Sequence, residues 1–316
     1  MIKKILKILL KAILGLLAGV LALAILVIGV LNVAKFVIYS DYYSAKENVC
    51  INPGLSDGFV CQGLAASDKH GKFIVSGYMK DHSASRLYVT DVDNNSFYVS
   101  LAQPNGESFT GHSGGVAVAN DLILLASDDS LCIIPIESVL NAKNGDVVTI
   151  DEKIKVNNQA SFVFANETYV YVGEFHDGTD YVTHHPYGTA DGTYYAIISR
   201  YSVDDLTKPD KIYSIRDKVQ GACFTPDGKV ILSTSYGLAD SYYYVYNEAD
   251  ARDSGLTLDG APVYLLDNCI RQIKAPAMSE DLEFYNGKVI THFESASDKY
   301  IFGKLFFANK IVALEY

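Results

Sequence analysis

The sequence predicts an all-β domain of five similar four-stranded units arranged about one axis, preceded by one membrane helix. Three observations predict it: an uncharged apolar run near the N-terminus, short Val-, Ile-, Tyr- and Phe-rich runs parted by turn residues beyond it, and a hairpin that recurs five times. Fixed-period self-similarity of this kind is the signature of propellers and solenoids. Four strands per unit select a five-bladed β-propeller.

The N-terminal element comes first. From Ala12 to Leu31 no side chain is charged or strongly polar, and twenty residues rising about 1.5 Å each span about 30 Å of hydrocarbon. Lys3, Lys4, Lys7 and Lys11 precede the run and no acid occurs before Asp41. That bias holds the N-terminus in the cytoplasm and sends the rest outward. A cleaved signal peptide has a shorter apolar stretch, about 7 to 15 residues, that ends at small residues. This run is longer and ends in Asn32-Val33-Ala34-Lys35, so it reads as an uncleaved anchor. The chain then divides into a cytoplasmic basic tail (1–11), a transmembrane anchor (12–34), a linker or closing strand (35–49) and an extracellular domain (50–316).

Charge narrows the partners. The first thirty-five residues hold five lysines and no acid, so the remaining 21 basic residues face all 37 acids of the 316-residue chain, a formal charge of −16. Such a surface repels phosphate backbones and anionic headgroups, which argues against nucleic acid. Cys50, Cys61, Cys132, Cys223 and Cys269 are too sparse for a disulfide scaffold and have no zinc-knuckle or redox spacing. Cys50 and Cys61 are spaced to close a short loop in an oxidising compartment; Cys132 and Cys223 lie in apolar runs and read as buried thiols.

The repeat is the main fold signal. Hairpins begin at Gln62, Gly114, Gln159, Gln220 and Glu280, separated by 52, 45, 61 and 60 residues, and turn at His70-Gly71, Asn120-Asp121, Asn166-Glu167, Asp227-Gly228 and Asn286-Gly287. Further strand-like runs follow at 86–91 and 96–101, at 194–201 and 211–215, and at 242–246 and 262–266. The last unit shows three clear strands, so the stretch before Gln62 is expected to close the ring. Glycines 63, 115 and 221 fall in register, as expected where inner strands crowd an axis. A two-sheet sandwich is the rival fold and would not require the repeat. The stretches Gln220-Gly221-Ala222-Cys223-Phe224-Thr225-Pro226-Asp227-Gly228 and Pro276-Ala277-Met278-Ser279-Glu280-Asp281 resemble those of bacterial secreted or membrane-anchored propeller proteins. The resemblance implies blade layout and attaches no activity.

In an antiparallel hairpin the start of one strand lies beside the end of the next. Gln62, Gly114, Gln159, Gln220 and Glu280 should therefore gather with Tyr78, Asp128, Glu174, Ser235 and Glu294 on one rim of the channel. Such convergent strand ends commonly bind ligands. His112, Asp281 and the long segment His176–Thr193, with His184, His185 and Tyr187, lie near the same rim, and the segment reads as an unstructured loop able to act as a lid. The candidate ligand-binding residues are Gln62, His112, Asp128, Gln159, Glu174, His176, Gln220, Glu280, Asp281 and Glu294.

Glu174 with His176, and His292 with Glu294, have the i, i+2 spacing that places both side chains on one face of a strand. If the two pairs converge they make a zinc-like set, and an oxygen-rich version would hold calcium. Two function classes follow. One is a cell-surface binding propeller for a small ligand, glycan or protein partner. The other is an extracellular hydrolase or lyase on a sugar, lactone or ester, using rim carboxylates. The absence of tryptophan, the usual platform for sugar rings, weighs against the second. Ser113, in Gly111-His112-Ser113-Gly114-Gly115, lacks the strand-to-helix context of a hydrolase nucleophile.

Overall fold

The computed structural model describes residues 2–190, 192–303 and 307–316. Helix α1 (Ile2–Ile38) has no buried residue and holds an apolar stretch long enough to cross a membrane. At about 1.5 Å per residue it extends about 55 Å. A short helix α2 (Ser40–Ala45) then turns the chain onto the domain. Tyr39 and Tyr42 are each 2% exposed. Tyr42 packs edge-on against Phe293 at 5.8 Å, and the Tyr39 hydroxyl donates to Asp240 Oδ1 at 2.8 Å.

Five sheets surround one axis, so the propeller reading holds and the sandwich does not. After β1 (Lys46–Ile51), blade one comprises β2 (Phe59–Ser67), β3 (Lys72–Met79), β4 (Arg86–Thr90) and β5 (Phe97–Ala102). Blade two comprises β6 (Gly115–Ala119), β7 (Leu122–Ser127), β8 (Ser130–Pro135) and, after helix α3 (Ile136–Leu140) and strand β9 (Val147–Thr149), β10 (Glu152–Lys155). Strand β9 adds to the outer edge of blade one, parallel to β5. Blade three is built from β11 (Phe162–Ala165), β12 (Tyr169–Gly173), β15 (Ala196–Ser202) and β16 (Lys211–Ile215), with the hairpin β13 (Tyr187–Thr189) and β14 (Gly192–Tyr194) between. Blade four uses β17 (Val219–Phe224), β18 (Lys229–Thr234), β19 (Ser241–Asn247) and β22 (Arg271–Ala275), and blade five β23 (Ser279–Tyr285), β24 (Lys288–Phe293) and β25 (Lys310–Leu314). The fourth strand of blade five is β1, antiparallel to β25, so chain segments near both ends share one sheet.

One strand assignment is corrected. The run 262–266 is not the outer strand of blade four. It belongs to a hairpin, β20 (Arg252–Leu258) and β21 (Ala261–Leu265), laid on blade three with β21 parallel to β16. The exposed edge of β16 accepts it, and β22 takes the vacated place in blade four.

Both faces of the blades are covered. Phe73, Ile74 and Val75 are successive residues of β3, pointing to alternate faces, yet each is at most 1% exposed. Successive inner strands β2, β6, β11, β17 and β23 pack side by side and return to β2. A Cβ on Gly63 would stand 2.5 Å from the Val116 nitrogen, one on Gly115 would stand 2.6 Å from Phe162 Cα, and one on Gly221 would stand 2.5 Å from Asp281 Cα. The three in-register glycines thus mark backbone approaching backbone around the axis. Cys132 and Cys223 are buried thiols, and Cys50 and Cys61 are also free and buried.

Candidate functional site

Three of the five inner strands carry a bulge at the residues singled out from sequence. In β2 the pairing shifts between Cys61 and Gly63, leaving Gln62 as the extra residue. In β17 it shifts between Val219 and Gly221, around Gln220. In β23 it shifts between Ser279 and Leu282, around Glu280 and Asp281. A bulge unpairs one residue and re-aims its side chain. The amide and carboxyl groups are thus set by backbone irregularity within the strand rather than by strand ends.

Side chains from blades five, one and two then join in one hydrogen-bonded chain. His112 Nε2 donates to Gln62 Oε1 at 2.7 Å, and Gln62 Nε2 donates to Glu294 Oε2 at 3.0 Å and to the Cys61 carbonyl at 2.9 Å. The Tyr300 hydroxyl donates to the same Glu294 oxygen at 3.0 Å. Tyr78 lies 3.5 Å from the Tyr300 oxygen, and Lys299 Nζ donates to the Tyr78 hydroxyl. The Tyr78 ring also lies against His112, with centroids 4.7 Å apart. Donors from two directions therefore converge on Glu294.

Beneath this chain lies buried acid. Glu280 is 2% exposed, and its Oε1 has no hydrogen-bond partner among the described residues. Burial first, then the charges of Glu294 and Asp281, push its pKa well above the glutamate range. Glu294 is raised to about 7 by burial, against the opposing pull of Tyr300, Lys299 and Gln62. Two adjacent carboxyls that both resist ionisation hold protons at neutral pH where isolated ones would not. His112 keeps an exposed edge. Desolvation nevertheless lowers its basicity, Lys299 lowers it further, and Asp128 opposes both.

Asp281 is fully buried and has a different role. Its Oδ2 accepts from Leu64 N at 3.2 Å and its Oδ1 from Leu282 N at 2.9 Å, clamping the inner strand of blade five to that of blade one. It does not face the mouth as a free ligand. His292 is likewise buried. Its Nε2 donates to the Gln62 carbonyl at 3.0 Å, and complete burial lowers its pKa to about 4.

Across the ring, blade three and the segment inserted in it form a second cluster. Glu174, 1% exposed, accepts from Gln159 N at 3.2 Å, His185 Nδ1 at 2.9 Å and Ile197 N at 3.1 Å. His176 Nδ1 accepts from Thr183 N at 3.0 Å, and its ring stacks on Tyr195 at 5.0 Å. These bonds staple the segment expected to be an unstructured lid, which instead carries the β13–β14 hairpin; Asp191 within it lies outside the described residues. Gln159 is exposed and Gln220 half-buried. Among the described residues neither of their side chains hydrogen-bonds to the two clusters, and Gln159 joins the second only through its backbone N. Asp128 is exposed, with φ 58°, and reaches His112 only through its charge.

The two His–Glu pairs do not converge. Among the described residues no three His, Cys, Asp or Glu side chains form a metal-holding group: Glu174 and His176 are bonded within blade three, and His292 donates to the Gln62 carbonyl of blade one. Ser113 is fully buried with φ 54° and leads into β6 rather than a helix, so its hydroxyl is not presented as a nucleophile. Tyr300 and Lys299 were not legible as site residues. They follow β24 in a segment without strand pairing, where neither repeat nor spacing gave a signal.

No protein-family model matches the sequence, and no curated protein matches it. Among solved structures, the chain is similar to PQQ-bound aldose sugar dehydrogenase from Streptomyces coelicolor (14% identity over 78% of this chain and 76% of that one, TM-score 0.45). It is also similar to BamB from Moraxella catarrhalis (9% identity, 81% and 82% coverage, TM-score 0.34). A third similarity is to hydrazine synthase of Kuenenia stuttgartiensis (12% identity, 74% and 56% coverage, TM-score 0.39), of which the chain spans just over half. These are similarities of fold alone, and no residue role passes to this chain from them.

Proposed function

We propose that this is a membrane-anchored extracellular propeller, its N-terminus cytoplasmic, that captures a small hydroxyl-rich ligand such as a glycan end at its channel mouth. The observation that carries the reading is the continuous chain His112–Gln62–Glu294–Tyr300, drawn from three blades. It offers an amide, an imidazole, a phenol and a protonatable carboxyl side by side, a set that pairs with hydroxyl donors and acceptors. The surrounding acids disfavour an anionic ligand. Titrating the full chain in neutral detergent with a saccharide panel should show binding that Gln62→Ala abolishes without lowering the unfolding midpoint. Binding by a protein partner instead, or saccharide capture that survives Gln62→Ala, would count against the reading.

One observation favours a hydrolase as second reading: buried Glu294 keeps a proton up to about pH 7, as a general acid must. Turnover of a sugar, lactone or ester, with or without added calcium or zinc, that disappears in Glu280→Gln would establish it. Absence of turnover alongside saccharide binding favours capture.

A further inference from the structure

Between the end of α1 and blade five lies a cleft of about 250 Å³, lined among others by Lys35, Tyr43, Lys46, Asn48, Phe307 and Lys310. The three lysines come from separate elements: α1, β1 and β25. Lys35 Nζ and Lys46 Nζ flank one ring, at 6.0 Å and 5.5 Å from the Tyr43 centroid. Their side-chain partners are neutral amides, Asn32 Oδ1 at 3.1 Å and Asn48 Oδ1 at 2.9 Å. Among the described residues no carboxylate pairs with Lys35, Lys46 or Lys310, although the domain as a whole is strongly acidic. The lysines also oppose one another: burial, then Lys35 and Lys310, lower the Lys46 pKa. Three cations gathered without an anion in an acidic protein form a site lacking its counter-charge.

Depth supplies the ligand class. The uncharged run ends at Leu31, so Lys35 stands about 6 Å beyond it along the helix, at the level of headgroups. The exposed Phe36 and the half-buried Tyr43 follow, aromatic side chains of the kind enriched at that interface. The net negative charge of the domain does not overrule this, because screening confines each field to about 8 to 10 Å. We propose that the cleft between the anchor helix and blade five binds the phosphate of an anionic lipid headgroup. This rests on the membrane-anchor reading and is independent of the channel mouth.

The test uses the full chain in neutral detergent, titrated with dihexanoyl phosphatidylglycerol, dihexanoyl phosphatidylcholine or inorganic phosphate and followed by tyrosine fluorescence. Phosphatidylglycerol should bind at least about tenfold tighter than either of the others. Lysines near an anionic surface contribute about fivefold each, so the triple variant Lys35→Gln, Lys46→Gln, Lys310→Gln should lose roughly a hundredfold. Lys310→Gln alone, with a loss of about fivefold, serves if the triple variant unfolds. Equal binding of the two lipids, phosphate binding as tightly as phosphatidylglycerol, or unchanged affinity in the variants overturns the proposal. Alkaline extraction of native membranes tests the anchor separately: release of a protein that still binds phosphatidylglycerol refutes the anchor and leaves the cleft intact.

Discussion

Replacing Glu294 with glutamine removes a titration while keeping an acceptor for Gln62 and Tyr300. In the folded chain the carboxyl holds its proton to about pH 7, against 4.5 for an ordinary glutamate. At 1.36 kcal/mol per pH unit that gap corresponds to about 3.4 kcal/mol. The side chain is not wholly covered, so solvent screening reduces this to about 2 kcal/mol. The native state binds the proton more tightly than the unfolded chain does. Its contribution is therefore complete below pH 4.5 and lost as pH rises through about 7. Relative to the native protein, Glu294→Gln should gain about 2 kcal/mol between pH 4.5 and pH 8, or about 5 °C in midpoint for a domain of this size. Urea unfolding of both proteins across that range is the assay. The difference between them is the readout, because His292 titrates with the opposite sign and masks part of the raw curve. A difference that stays constant with pH, or that moves against the variant, refutes the buried-acid account.

The other predictions concern neighbouring elements. His292, lowered to about 4 from 6.5 by burial, contributes stability that is present above pH 6.5 and lost as pH falls through 4; His292→Gln should flatten about 3 kcal/mol of acid-side loss in urea unfolding. Gly63→Ala places a Cβ 2.5 Å from the Val116 nitrogen and should cost about 3 kcal/mol or prevent folding, read by thermal unfolding. His185→Ala removes the side-chain partner of a buried carboxylate and should cost about 1 to 3 kcal/mol, with faster limited proteolysis between residues 176 and 193.

The sequence showed the blades because each inner hairpin is an apolar run on either side of a turn, and turns such as Asp227-Gly228 and Asn286-Gly287 fix where the chain reverses. It did not show the bulges. Gln62 and Gln220 read as strand starts, since a one-residue offset in pairing changes geometry without changing residue type. Residues 262–266 read correctly as a strand, but which sheet a strand joins depends on an open edge elsewhere, here that of β16. Asp281 and Glu280 are adjacent acids with indistinguishable sequence signals, and only burial against Leu64 N separates a clamp from an unpaired carboxyl. Tyr300 reaches Glu294 from an irregular segment, beyond any periodicity argument. The His185–Glu174 pair joins a loop to a strand end through a fold that spacing does not encode.

The most direct measurement is a crystal structure of the full chain with the saccharide that binds best in the panel. Density is expected in the channel mouth within hydrogen-bond reach of Gln62, His112 and Glu294. Density confined to the cleft of about 490 Å³ beside Asn52, Thr90 and Ala296, with an unchanged mouth, would contradict the capture reading.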